Sequence, residues 1–265
     1  MFMSIITITT DFGLRDGYVG VMKGVIWGIN PDVRIVDITH LIPPQDINQG
    51  SIALGRVSSF FPEKTIHIAV IDPGVGIDRR PMAAKIGSLY YVGLDNGLIT
   101  RVIKSGEEAG KELDFVELNI QEYWLSEISH VFHGRDIFAP VAAHLSNGVS
   151  LKKIGTSFMK PILIPLPEIV LLPKKIIGEV VAIDNFGNLA TNIMQSHLDA
   201  YPKIFSIKIH DFLTSDFEKT FGDKPVGSLV GLIGTQNDLV IACVNANARE
   251  KINGFVGSPV EIVFE

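Results

Sequence analysis

The chain has 265 residues, 46% of them hydrophobic and 20% charged, with a formal net charge of −6. The composition is globular rather than disordered, and the length allows one large domain or two of ordinary size. An acidic chain without a basic block excludes nucleic acid as a main partner, and a single cysteine, Cys243, excludes an internal disulfide.

Met1 to Thr10 lacks the basic region and long apolar core of a signal peptide, and no uninterrupted apolar stretch is long enough to span a bilayer. The expectation is a cytoplasmic protein. Ile5 to Thr9 reads as a buried strand, followed at once by Thr10-Asp11-Phe12-Gly13-Leu14-Arg15-Asp16-Gly17. Tyr18 to Asn30 has helical period. Its Gly20, Gly24 and Gly28 share one face, which predicts close packing against the sheet or another helix. Arg34 to Ile38 is a second strand, closed by Thr39-His40, and Asp46 to Phe60 a second helix stopped by Pro62.

Ile66 to Ile71 is a third strand, β-branched and broken by Pro-Gly. Asp72 stands at its carboxyl end, and Arg79 or Arg80 returns seven or eight residues later. A carboxylate and a guanidinium on one tight loop can form a charge-assisted pair. Such a pair either braces the loop or belongs to a site, and spacing does not choose between Arg79 and Arg80. Met82 to Ile86 and Leu89 to Gly93 form a hairpin leading into Asp95-Asn96-Gly97. Leu98 to Lys104 is helical and Asp114 to Leu118 a strand; His130-Val131-Phe132-His133-Gly134-Arg135-Asp136 precedes a helix from Ile137 to Leu145.

Strands alternating with helices predict an α/β domain over residues 1–158, a mostly parallel sheet covered by helices on both faces. Pro161, Pro165, Pro167 and Pro173 mark 159–174 as a linker. The short apolar runs 176–183, 204–209, 228–233, 239–244 and 260–264 then predict a small all-β barrel or sandwich over 175–265. Cys243 lies in one of these runs and reads as a small buried side chain.

In an open α/β sheet, ligands bind beyond the carboxyl ends of the strands. Asp11, Asp72, Asn96 and His133 all fall in such loops, which makes them one candidate constellation. The cluster Asp184-Asn185-Phe186-Gly187-Asn188 with Thr191-Asn192 reads, by itself, as an Asx-type turn. No G-x-x-x-x-G-K-[ST] loop and no G-x-G-x-x-G after a strand is present, so nucleotide phosphates have no cradle. Asp11, Asp16, His133 and Asp136 lack close metal-ligand spacing, and no metal is expected.

Taken together, several motifs in order resemble the S-adenosyl-L-methionine (SAM) hydroxide adenosyltransferase family, the SAM hydrolases related to fluorinase and chlorinase. They are Asp11-Phe12-Gly13 with Asp16 and Tyr18-Val19-Gly20, Val36-Asp37-Ile38-Thr39-His40, Asp72-Pro73-Gly74-Val75-Gly76 with Arg79-Arg80, and Asp95-Asn96-Gly97-Leu98. Phe132-His133-Gly134-Arg135-Asp136-Ile137-Phe138-Ala139-Pro140 and Asp184-Asn185-Phe186-Gly187-Asn188 with Thr191-Asn192-Ile193 complete the set.

The resemblance implies cleavage of SAM by water to adenosine and L-methionine, with no cofactor and no metal. It implies a catalytic Asp72, Arg79 and His133, and substrate contacts from Asp11, Asn96, Gly134, Asp184, Asn188 and the Asn245 region. It also implies a homotrimer, with sites between the N-terminal domain of one subunit and the C-terminal domain of its neighbour. Gly234-Thr235-Gln236-Asn237-Asp238-Leu239 departs from the family's Asn-Ser-x-Gly-x-Leu pattern, and Val131 replaces a residue usually Thr. Asp72 stands where the halogenases carry Tyr, Gly134 where fluorinase carries Ser, and the turn between Ile86 and Tyr90 is short where fluorinases carry an insertion. These differences favour water over halide. The alternatives are a halide-using adenosyl transferase and a SAM- or adenosine-binding sensor that has lost turnover.

Overall fold

The computed structural model describes residues 4–77, 79–201 and 205–264. Asp78, inside the loop after the third strand, and Ile204, the first residue of the predicted 204–209 run, lie outside the described residues, as does the start of the N-terminal segment. The chain divides into two compact units after Ile164.

The first unit runs β1 (Ile5–Thr10), α1 (Tyr18–Ile29), β2 (Arg34–Thr39), α2 (Ile47–Val57), β3 (Ile66–Val70), β4 (Pro81–Ile86), β5 (Leu89–Leu94), α3 (Thr100–Glu108), β6 (Leu113–Glu117), α4 (Ala139–Ser146) and β7 (Thr156–Phe158). The strands form one mixed sheet in the order β2-β1-β3-β5-β4-β6-β7. Parallel pairing is confined to β2, β1, β3 and β5; β4, β6 and β7 add antiparallel. The reason is local: only Gly87 and Ser88 separate β4 from β5, and so short a connection can join strands only as a hairpin.

Period-two alternation builds two cores, one on each face. Ile6, Ile8, Ile66, Ile68 and Val70 pack against Met22 and Ile26 of α1 and Phe138 to Ala143 around α4. Ala69, Ile71, Met82, Ala84 and Tyr91 face Leu54 of α2 and Ile99, Val102 and Ile103 around α3. The helical glycine face predicted on α1 is present but packs on nothing among the described residues. Gly20, Gly24 and Gly28 are exposed, and a Cβ at any of them would meet no atom within 4 Å. The competing stripe wins, because Val19, Met22 and Ile26 follow helical spacing and are the positions the helix buries.

The Pro-rich segment is not a free connector. Main-chain amides of Ile162 and Ile164 donate to Asp95 Oδ1 (2.7 Å) and Thr100 Oγ1 (3.0 Å) in the first unit. Further on, Val170–Leu172 is a strand, β8, that pairs with the next one. The second unit continues with β9 (Lys175–Ile183), β10 (Leu189–Met194), α5 (Gln195–Leu198), β11 (Phe205–Ile209), β12 (Phe212–Thr214), β13 (Leu229–Ile233), β14 (Asp238–Cys243), α6 (Ala248–Ile252) and β15 (Pro259–Phe264). They form an antiparallel sheet ordered β12-β11-β15-β9-β10-β14-β13. Its ends approach one another: Thr214 Oγ1 donates to Leu229 O, and Phe217 bridges to Gly231, so the sheet is a nearly closed barrel. Ile176, Val180, Leu189, Ile207, Leu239, Ile241 and Ile262 fill it. Cys243 is buried and unpaired, in keeping with its apolar surroundings. No helix among the described residues is long and apolar enough to cross a membrane.

His67, in the middle of β3, is fully buried, stacked on Tyr91 at 5.1 Å, with Nδ1 2.7 Å from Thr7 Oγ1. Burial pushes its imidazole down to about 4. The unfolded chain therefore binds a proton here that the folded chain refuses, and stability falls as pH drops below ~6.5 toward 4. Urea titrations at pH 7 and pH 4.5 are expected to show this loss, with His67 responsible for about 3 kcal/mol of it across the whole window. His67→Gln should flatten that part of the pH dependence; an unchanged slope would remove the assignment.

Candidate active site

The strand order places the site. From β1 the chain crosses to β2 on one side, then returns to β3 on the other, so β1 and β3 flank a topological switch point. Crevices open at the carboxyl ends of strands at such points. Thr10 pairs with Val70 in register, so the loops beginning at Asp11 and Ile71 leave the sheet side by side.

The loop after β3 folds back on itself. Asp72 Oδ1 accepts from the Gly74 amide (3.0 Å), and the Ile77 amide donates to Gly74 O (3.1 Å). This brings Arg79 Nη2 to 2.7 Å from Asp72 Oδ2, with both side chains 11% exposed. Arg80 turns the other way. Its Nη1 lies 3.3 Å from Asp95 Oδ2, and its guanidinium covers the Phe158 ring at 4.4 Å. Arg79 is thus the partner of Asp72, the choice that spacing left open.

Asp72 is the wall between two hollows. One, of about 640 Å³, is lined by Gly74, Arg79, Arg80, Asp95, Asn96 and Glu117 among others. The second, of about 460 Å³, is lined by Phe12, Tyr18, Val75, Phe132, His133 and Gly134 among others. His133 caps a π-helical turn, Gly134–Phe138, that continues into α4. Such turns are frequent at functional sites. The turn is held by buried Asp136, which accepts from the Ser129 amide (2.7 Å) and from Arg135 Nε (2.5 Å) and Nη2 (3.1 Å). Gly134 lets the turn pack closely, since a Cβ there would lie only 3.3 Å from Met22 Sδ and from the Phe132 ring.

Desolvation, then the Arg79 charge, hold the His133 imidazole below the usual histidine value, while Asp72 and Asp136 pull it back up. Its Nδ1 and the Nε of Arg79 are buried with no hydrogen-bond partner among the described residues. Buried polar atoms are nearly always satisfied, so each of these two, on either side of the Asp72 wall, is open to a partner entering its own hollow. Desolvation raises the Asp95 carboxyl above the usual carboxylate range, against the opposing Ile162 amide and Arg80.

The remaining expected residues separate into groups. Asp11 Oδ2 accepts from the Gln45 amide (2.7 Å), joining the loop after β1 to the start of α2. Asn96 donates to Ile71 O (2.8 Å) and accepts from the Leu98 amide (3.2 Å). Its amide group thereby ties the end of β3 to the turn before α3.

In the second unit, Asp184 accepts from the Phe186 and Asn188 amides (2.9 Å each) and from Asn188 Nδ2 (2.7 Å), the Asx turn read from sequence. Gly187, at φ +85°, lies against Asn247, whose Oδ1 would be 1.9 Å from a Cβ; only glycine fits. The Arg249 amide donates to Gly187 O (2.9 Å), and Asn245 is an exposed residue in the left-handed region (φ 49°). Asp184, Asn188 and the Asn245 turn therefore sit on adjoining loops of that unit. No group of three or more His, Cys, Asp or Glu among the described residues could hold a metal ion. Sequence reasoning missed Phe12, Tyr18 and Phe132 as lining residues, although each stands in a motif it had noted; only their clustering gives them a role.

A mixed sheet with an acid, a guanidinium and an imidazole on loops at its switch point, followed by a β-barrel unit, defines a two-unit enzyme-like scaffold. The model of the SAM hydroxide adenosyltransferase N-terminal domain matches residues 6–155, and that of the C-terminal domain residues 178–261. The chain belongs to the SAM hydroxide adenosyltransferase family. It is 32% identical to a protein of Salinispora tropica named (R)-S-adenosyl-L-methionine hydrolase, over 97% of both chains. A fluorinase of Nocardia brasiliensis is 28% identical over 97% of this chain and 96% of its own. The crystal structure of an uncharacterized conserved protein from Thermotoga maritima is similar at a TM-score of 0.90 and 34% identity, covering 97% of this chain and 99% of the other.

Asn96→Ala should cost about 1–3 kcal/mol of unfolding free energy, because it leaves the Ile71 carbonyl and Leu98 amide without their partner. Urea titration measures this directly, and a loss below the error of the method would contradict the tether.

Proposed function

We infer that this chain hydrolyses S-adenosyl-L-methionine to adenosine and L-methionine by in-line attack of water at the ribose C5′. The observation that carries this reading is the Asp72–Arg79 pair beside His133, with an imidazole and a guanidinium nitrogen left unpaired. Relatives across nearly the full chain are named (R)-S-adenosyl-L-methionine hydrolase, which supports it. Those names also support the R epimer at sulfur as the substrate.

The C5′–S bond breaks as the C5′–O bond forms, and the departing electron pair turns a sulfonium into a neutral thioether. The water's proton passes to His133 and then to solvent. Bulk water has a pKa near ~15.7, so the nucleophile is the difficulty. Arg79, aimed by Asp72, and His133 hold one water in line with the C–S bond. Such positioning contributes about 7–11 kcal/mol, more than the ~10²–10⁴-fold of proton transfer alone. Asp11 takes the ribose hydroxyls with the carboxylate oxygen not committed to Gln45. Asn96 acts from the turn beside Asp72, and Gly134 admits the substrate close to the π-helical turn. Asp184, Asn188 and Asn245 meet the nucleoside from a neighbouring copy in a homotrimer. The reaction needs no cofactor, and the protein works in the cytoplasm.

Methionine release from both sulfur epimers is the test. Asp72→Ala, Arg79→Ala and His133→Ala should each lower kcat by about 10²–10⁴-fold, whereas Arg80→Ala should stay within about tenfold, since Arg80 pairs elsewhere. Near-wild-type rates in the first three would end the reading.

The pH profile follows from the lowered His133 value. A base must be neutral to accept a proton, so activity should persist below the ordinary histidine range and fall through an apparent pKa below ~6.5. Stopped-time assays from pH 5 to 8 measure it; an acid limb above 6.5 would remove His133 as the base.

A further inference from the structure

Three aromatic rings border the smaller hollow. Phe12 and Tyr18 have centroids 5.9 Å apart and planes at 67°, Phe12 and Phe132 5.9 Å and 70°, Tyr18 and Phe132 5.3 Å and 77°. The three rings form one edge-to-face cluster on the wall of the hollow, and such an aromatic wall attracts a cation through the ring faces it leaves open. The rings are not simply core. Tyr18 is 51% exposed, Phe12 and Phe132 are half-buried, and all three line the cavity together with Asp72 and His133.

The charged groups nearby are already paired. Asp72 is bound to Arg79, and Asp136 to Arg135, whose guanidinium also lies 5.4 Å from the Phe132 centroid. No carboxylate among the residues lining this hollow is free to act as the counter-charge of a cation, so its attraction for one comes from the ring quadrupoles.

We propose that Phe12, Tyr18 and Phe132 form an aromatic wall that selects the sulfonium form of the substrate over neutral thioethers. This rests on the hydrolase reading above and deepens it. The wall acts on a charge that is present in the bound substrate and is disappearing in the transition state. It therefore favours the ground state, and its signature is a split: its loss raises KM for the sulfonium without lowering kcat.

Tyr18 is the position to probe, because it is exposed at the start of α1 and contributes little to the core. Tyr18→Phe keeps the ring and should leave KM unchanged. Tyr18→Leu should raise KM for SAM about three- to thirtyfold, with kcat equal or higher, while the inhibition constant of neutral S-adenosyl-L-homocysteine moves less than about twofold. Fluorinated phenylalanines at position 18, which drain the ring face without altering its shape, should raise log KM in step with fluorine number. Equal weakening of sulfonium and thioether, or no trend across the fluorinated series, would overturn the proposal. Absence of methionine release by the wild-type enzyme would instead overturn the hydrolase reading, leaving the two failures distinct.

Discussion

The parallel pairing of β1 with β3 is the constraint on which the site depends. With Thr10 opposite Val70, the chain leaves both strands at the same height and on the same edge. The pairing is fixed by burial on both faces: Ile6, Ile8, Ile68 and Val70 belong to one core, while Ala69 and Ile71 belong to the other. A slip of one residue would move each set to the wrong face, so the register is strongly specified. Two loops that share no sequence neighbourhood are thereby held together by the sheet rather than by each other.

From that edge the loops are stiffened by hydrogen bonds that do no chemistry. Thr10 Oγ1 lies 2.9 Å from His40 Nδ1 and accepts from the Phe12 amide (3.2 Å), while the Gly13 amide donates to His40 O (2.8 Å). His40 is buried, with Nε2 3.1 Å from Asp37 Oδ1, and Asp37 is bound by Lys23 at 2.6 Å. The loop after β1 is thus pinned to the end of β2 and to α1. On the other side Asn96 pins the end of β3. A group that must orient a small nucleophile needs its own support fixed in this way, since an error of an ångström is costly.

Much of this was legible in the chain and some was not. The alternation of Ile6 and Ile8 with Thr7 and Thr9, the Pro-Gly break after Ile71 and the Asx turn at Asp184 are local signals, and local signals are what a sequence displays. The division into an α/β unit and a β unit followed from the same periodicities. Two things were invisible for one physical reason: they are decided by long-range packing. These are the exposure of the Gly20, Gly24 and Gly28 face, and the divergence of Arg79 from Arg80. In the last case two identical side chains stand next to each other and take different partners, Asp72 for one and Asp95 for the other. Asp95 takes the second, and nothing near Asp95 in the sequence announces it.

The electrostatics suit the reaction inferred here. A bare carboxylate beside a sulfonium would bind the substrate tightly and hold it there, because the attraction weakens as the positive charge is extinguished; ground-state stabilisation of that kind deepens the well from which the reaction must climb. Asp72 avoids this by being paired at 2.7 Å with Arg79. The two formal charges of the pair cancel, yet the guanidinium keeps a buried Nε without a partner among the described residues, free to donate to an oxygen. Ring faces give a weaker hold on the cation than an unpaired acid would, enough to recognise charge without trapping it. On the reading proposed above, recognition and attack fall to different groups: soft aromatic walls for the leaving sulfonium, and a self-compensated ion pair with an imidazole for the incoming water.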